Sequence, residues 1–339
     1  MATDPELINK IYLQRRQTNA NRLWRGRRVR DVLANTYDIV FKDLVKPGEE
    51  PVVGNLVWAA ARTISQRVGR LPRLDVQPVD RSSEPAKARA EKHEQRLNDY
   101  QICMNMPGTR LQAAYWLVCH DMAPLVVRPS PEYGIPIIEV RDPMTCFPGS
   151  IFPHKPDMVN TLFAEKMTPW GAVAAFPQIE KWVDPRDEQV EFVTIGEFFD
   201  GDGVTRVMLE PFVKPLDFIE SACPGRPMVV IARGFSVDMD FHGQFDHVIP
   251  ALIAQAKLFG MVMSYAGQQV SAETVVTGEI SSNGGQWAVG PGAVNVLAPM
   301  PGASANKLTN NMSPQVFNEL DRLERAIRLG GQFPAQLSG

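Results

Sequence analysis

The sequence predicts an α+β fold, with helices gathered in the first third, an antiparallel sheet in the middle, and a helix, a small β module and a second helix at the end. Three observations lead there. Up to about residue 120 the apolar residues recur at steps of three and four, the period of an amphipathic helix. From Leu125 to Glu210 the period drops to two, the signature of half-buried strands. After Gly243 it returns to helical pitch in a segment that is apolar on nearly every side. No repeated strand–helix–strand alternation occurs, so a doubly wound parallel sheet is not expected.

Taken in order, residues 5–35 read as helix on Leu7, Ile8, Ile11, Leu23 and Val29. Arg15, Arg16, Arg22, Arg25, Arg27, Arg28 and Arg30 crowd it, and with Lys10 against Asp4 and Glu6 the first thirty residues carry a net charge of +6. Such a cluster either meets an anionic partner (DNA or an acidic neighbouring subunit) or forms a solvated helix face. A second helix is expected from Asn55 to Arg70 on Val57, Ala61, Ile64, Val68 and Leu71, closed by Pro72, and then a short strand over LDVQPV. Pro85 suits the first position of a polar helix through Met104; Pro107-Gly108 breaks it, and Leu111, Tyr115 and Leu117 start the next. PLVVRPS, IPIIEVRDP, NTLFAEKM, EQVEFVTIGEFF and VTRVMLEPF read as strands. The DGDG at 200–203 is a strong hairpin turn. Residues 215–227 read as loop and MVVIARGF as one more strand.

The segment 243–268, GQFDHVIPALIAQAKLFGMVMSYAGQ, organises the rest. Val248, Leu252, Phe259, Val262, Met263 and Ala266 share one helical face, and Ile249, Ile253 and Ala256 widen it. Asp246, Lys257, Ser264 and Gln268 form a thin polar strip opposite, with Gln255 as an exception inside the apolar face. An ordinary surface helix has an apolar stripe of roughly 100°; here the proportions are reversed. Lys257 and Gln255 interrupt the segment, and no run of about 20 apolar residues exists for a membrane span. It is either the core helix of a large domain or a helix packed against copies of itself. The C-terminal residues favour the second: AETVVTGEI, QWAV and AVNVLAP make a small Gly- and Pro-rich β piece, and Ser313-Pro314 opens a helix to Leu329 on Val316, Leu320, Leu323 and Ile327. An isolated hairpin is marginal in water, and one helix beside it cannot enclose so broad an apolar surface. A closed ring of identical neighbours would cover both flanks.

Composition narrows the function. The 339 residues are 44% hydrophobic and 22% charged with a net charge of −3, against the basic surplus of a tight nucleic-acid clamp. Cys103, Cys119, Cys146 and Cys223 form no CxxC pair, which fits reduced thiols. The N-terminus lacks a secretory apolar segment, so a soluble protein made in the cytoplasm is expected.

The pattern RPMVVIARGF…GQFDHVIPALIAQAKLF, then VVTGEI…WAVGPGAVNVLAPMPG, then MSPQVFNELDRLERAIRLGGQFPAQLSG, resembles the portal proteins of tailed bacteriophages, most of all those of phages infecting actinobacteria. PVVGNLVWAAARTISQRVGRLPRLDVQPVD and YWLVCHDMAPLVVRP…VRDPMTCFPG are similar to that family's wing, so the resemblance covers nearly the whole chain. It implies a dodecameric ring at a capsid vertex of the virion, assembled in the host cytoplasm, through which double-stranded DNA is packaged and ejected. Residues 1–245 would be the wing, 246–270 the first stem helix, 271–312 the clip and 313–331 the second stem helix; 332–339 would begin a tunnel loop, with the family's crown absent from this chain. The implied partners are the major capsid protein, the terminase large subunit, a head–tail adaptor and DNA passing non-specifically, with no membrane and no cofactor. A conduit should avoid the many phosphate contacts that give tight, salt-dependent binding, which the near-neutral composition suits. No GxxxxGK[ST] phosphate loop is present, so the packaging motor would be a separate partner.

Lys257, Ser264, Arg322, Arg325 and Arg328, all off the apolar stripes, are the candidates for facing the channel or a neighbouring subunit, with ion pairs to Asp246, Asp321 or Glu324 as the alternative for the basic ones. Glu279, Trp287 and Asn295 are the candidate clip contacts to adaptor or terminase. Asp238, Asp240, His242, Asp246 and His247 form the densest group of possible ligands, the basis of a rival reading as a metal-dependent hydrolase. Their spacing matches no defined site, and no metal is expected: Asp246 reads better as a helix cap. A different capsid-building protein is the nearer rival. Pro291 within Gly290-Pro291-Gly292 removes an N–H that a phosphate cradle needs. His120 has only Cys119 beside it, which reads as a small buried residue, so no catalytic residue is assigned.

Overall fold

The computed structural model describes residues 2–34, 36, 40, 56–70, 74–130, 134–149, 160–221, 224–226, 228–234, 241–270, 274–277, 279, 286, 296–298, 301–302, 304–307 and 314–331. The fold is α+β, and the chain divides into two compact units. The first comprises Met1–Val40, Asn55–Ile249 and Gly330–Gly339; the second comprises Phe41–Gly54 and Pro250–Leu329.

In the first unit the helix expected over 5–35 is two helices, α1 (Pro5–Thr18) and α2 (Ala20–Ala34). Asn19 divides them: its backbone N–H and its side-chain amide both donate to the Arg15 carbonyl, at 2.9 and 2.8 Å. Short polar side chains compete for helix backbone groups in this way. Then come α3 (Leu56–Val68), α4 (Glu84–Cys103) and α5 (Met106–His120). Met104 caps the end of α4; Asn105 and Asp121, both with positive φ, flank α5 at its start and its end. The strand expected over 74–79 is absent. Its alternation persists as alternating burial, but no strand among the described residues pairs with it and Val79 stands fully in solvent.

Three strands, β1 (Met122–Ser130), β2 (Ile135–Val140) and β8 (Val229–Arg233), form an antiparallel sheet in the order β2-β1-β8. A five-stranded antiparallel meander runs in chain order: β3 (Cys146–Pro148), β4 (Thr161–Met167), β5 (Val193–Phe199), β6 (Gly203–Glu210) and β7 (Lys214–Glu220). The β5–β6 turn is the expected one at 200–203, where the Asp200 carboxylate accepts the N–H groups of Asp202 and Gly203, both at 2.9 Å. The loop expected over 215–227 is strand in its first part. Pro215 sits on an edge strand beside a register shift, one of the few places a sheet accepts proline. Between β4 and β5 lie α6 (Pro169–Ala175) and a 3₁₀ turn (Pro177–Lys181), which the period-two reading passed over.

Alternation along β4, β5 and β6 builds the core. One set, Leu162, Ala164, Phe198, Val207 and Leu209, packs under Ile8 and Tyr12 of α1. The other set is divided along the strands. Phe163, Phe199 and Val204 meet Met122, Val126 and Val229 of the three-stranded sheet, and the rings of Phe163 and Phe199 stand edge to face at 5.6 Å. Ile195 and Met208, further along, lie under Ala172 and Ile179 of the α6 region. Between these apolar zones runs a belt of charge. Glu197 takes Arg206 at 2.8 Å, Arg128 at 3.1 Å and Arg141 at 3.3 Å, while Arg141 also reaches Glu139 and Glu165, both at 3.1 Å. The belt ties the two sheets together.

Glu197 is the hub of that belt, and its removal leaves three half-buried guanidinium groups short of a counter-charge. Glu197→Gln is therefore expected to lower the unfolding free energy by about 2–4 kcal/mol, read by urea denaturation followed by circular dichroism. A loss under about 0.5 kcal/mol, as for an exposed pair, would contradict the role assigned to it.

Candidate functional site

The second unit is carried by α7 (Ile249–Val270). The helix begins three residues after the expected Asp246 because Gln244–Val248 form turns. Asp246 is no cap for it: its carboxylate accepts the Gly243 N–H at 3.1 Å and faces Arg25 at 3.5 Å. Val248, Ile249 and Leu252 are buried, but from Ile253 to Met263 every side chain is half-buried or exposed. Met261 and Met263 are 66% and 53% exposed. Full burial of one such side chain is worth about 1.5–3 kcal/mol, so the helix leaves a large apolar debt uncovered within one chain.

Around it stand a two-stranded antiparallel piece, β9 (Thr274–Thr277) with β10 (Ser304–Lys307), and α8 (Pro314–Gly330). Of the strand expected over 293–299 only 296–298 are described, and Ala298 donates to the Glu279 carbonyl at 2.9 Å. In α8, Ile327 is buried and Val316, Leu320 and Leu323 are half-buried, while Phe317 and Leu329 are 52% and 79% exposed. Among the described residues α7 and α8 share no extended packed face. The first unit holds both points where the chain enters and leaves the second: the Gln244 amide donates to the Gly331 carbonyl at 2.5 Å.

The candidate channel residues distribute along these two helices. Lys257 is exposed on α7, and Ser264 lies on α7 with its side chain outside the described set. Arg322 is exposed 3.6 Å from Glu319, and Arg325 is exposed. Arg328 is half-buried and paired with Glu324 one turn away on its own helix. Of the candidate clip contacts, Glu279 is exposed; Trp287 and Asn295 lie outside the described residues, as do 332–339.

The N-terminal arginines take a course that neither expectation covered. Arg22 is buried and donates to the carbonyls of Pro143 and Cys146 at 2.7 and 2.6 Å. Arg15 donates to the Phe147 carbonyl at 3.0 Å, Arg25 to the Phe241 carbonyl at 3.2 Å, Arg30 pairs with Asp142, and Arg16 reaches Glu210 at 3.3 Å. Arg15, Arg22 and Arg25 thus act as internal mortar, holding α1 and α2 to backbone carbonyls of the β3 region and of Phe241. Spacing on a helix wheel could not reveal this, because the acceptors are carbonyls more than a hundred residues away.

The residues weighed for chemistry do not converge. Asp238 and Asp240 lie outside the described residues. The His242 and His247 rings stack at 5.8 Å, and no group of three or more potential ligands gathers among the described residues. Burial pushes the Cys119 thiol up to about 12 and His120 down to about 3, helped for the histidine by Arg30. A nucleophile–base pair needs the opposite, a thiol easily ionised beside a basic imidazole. No protein-family model matches the chain, and no curated protein matches it significantly.

His120 carries a pH prediction. It stays neutral when folded but takes a proton near pH 6.5 when unfolded, so its contribution is fully present above that pH and is lost as pH falls toward about 3. At about 1.4 kcal/mol per pH unit, the fall from pH 6.5 to 4.5 is expected to remove about 2–3 kcal/mol. His120→Gln should flatten the pH dependence of unfolding measured in urea; an unchanged slope would mean that His120 is protonated in the folded chain.

Proposed function

We propose that this chain is the subunit of a tailed-phage portal ring, a non-enzymatic conduit for double-stranded DNA at one capsid vertex. The observation that carries the reading is α7, whose described apolar side chains from Ile253 to Met263 are none of them fully buried. A head-to-tail ring supplies that cover from both sides. It also accounts for α7 and α8 sharing no extended packed face among the described residues. In this arrangement the first unit is the wing, α7 and α8 are the stem, and the β9–β10 piece with Glu279, Trp287 and Asn295 is the clip that docks terminase and then the head–tail adaptor.

Lys257 and Ser264, with Arg322 and Arg325, then turn toward the bore or the next subunit. DNA slides past such a sparse set because few phosphates are held at once. The energy for packaging comes from the partner motor. No observation favours the metal-hydrolase reading; a different capsid-building protein shares the ring's apolar requirement but not its axial opening.

The test is the mass in solution. The wild type is expected to run at a large multiple of 37.7 kDa in size exclusion with light scattering. A double variant, Met261→Glu with Met263→Glu, changes two side chains already exposed in the single chain, so it should leave the circular dichroism intact and return the mass to the monomer. A monomeric wild type overturns the reading.

A further inference from the structure

Two exposed surfaces of the first unit carry opposite charge. One is the outer side of α2 and α3, which pack together and on α5 beside the three-stranded sheet. There Trp24 and Trp58 are 55% and 45% exposed, with the guanidinium groups of Arg28 and Arg62 stacked over them at 4.4 and 5.4 Å. Arg27, Arg62 and Arg70 are exposed beside them, α3 holds no acidic residue, and the one in α2, Asp31, is buried. The other surface follows α6, over the end of the 3₁₀ turn and the segment that leads into β5. Glu180, Asp184, Asp187, Glu188 and Glu191 are exposed, outnumbering Lys166, Lys181 and Arg186; Trp170 and Phe192 stand 60% and 45% exposed nearby, with the Lys166 ammonium 6.0 Å from the Phe192 ring centre.

Among the described residues Arg27, Arg62 and Arg70 have no carboxylate partner, and these acidic side chains have no cation. Arginine and tryptophan are the side chains that dominate binding hot spots, and placing Arg over Trp lowers the cost of desolvating both. Charge complementarity between two different surfaces of one body suits a heterologous, head-to-tail contact, which closes into a ring when its rotation allows.

We propose that the α2–α3 face docks on the acidic 180–191 segment of a second copy of this chain, head to tail. The proposal deepens the ring reading and rests on it. Trp24 and Trp58 are the anchors, the five carboxylates meet Arg27, Arg62 and Arg70, and repetition of the one contact around an axis closes the assembly.

Three charge-swap forms of the full chain test it by light scattering at low salt. Reversing the basic face (Arg62→Glu with Arg70→Glu) and reversing the acidic one (Asp187→Lys with Glu188→Lys) should each shift the mass to monomer. Both swaps in one chain should restore the assembly, and so should a one-to-one mixture of the two singly reversed forms, since alternating subunits then face opposite charges. The assembly should also weaken as salt rises. A wild type that assembles while the swapped forms assemble equally well overturns this contact and leaves the ring reading standing. Failure of both the double swap and the mixture to restore assembly also overturns it. Loss of retention on double-stranded DNA with unchanged mass would assign the basic face to DNA instead.

Discussion

Apolar surface that one chain cannot hide is the constraint on which the rest depends. At about 25 cal/mol per Å², even a few hundred Å² left bare on α7 weighs as much as the whole stability of an ordinary domain. Among the described residues the β9–β10 piece has only two short strands, and α8 has Phe317 and Leu329 exposed rather than buried. Nor is α7 long and apolar enough to cross a membrane. In the proposed ring, neighbouring copies would answer the requirement with no new sequence, once on each flank of the helix.

The first unit is built for a different task, holding shape. Its two sheets meet through the Phe163–Phe199 contact and are cross-tied by the Glu197 belt, while buried Arg22 locks α2 onto the turn before β3. Close approaches reinforce this: a Cβ on Gly243 would collide with the Cys119 carbonyl, so the segment leading into α7 lies hard against the end of α5. Hydrogen bonds to charged groups contribute about 1.5–3 kcal/mol each, and they are directional. Such a body can present two fixed surfaces at a set angle to its neighbours, which a closed ring needs.

Much of this was legible in the residues, and the misses have causes. Alternation in NTLFAEKM and VTRVMLEPF marked β4 and β6, because each has one side against α1 and the other against a second layer. The DGDG turn was legible because its chemistry is local. β7 was hidden by Pro215, whose place on a sheet edge depends on which strand ends up outermost. The break at Asn19 was overlooked because the apolar period runs through it. For the candidate site, the excess of apolar residues in α7 was plain. The placement of the arginines was not: charge counting sees a +6 patch, and only the fold shows that Arg15, Arg22 and Arg25 face inward to carbonyl groups. Asp246 misled in the same way, as a cap by position and a partner of Arg25 by geometry.

The most direct test of the central claim is electron microscopy of the purified full chain in negative stain. Rosettes of one size with an open centre, the α7 segments gathered around the hole, are the result expected. Compact particles of single-chain size with no central opening would contradict it.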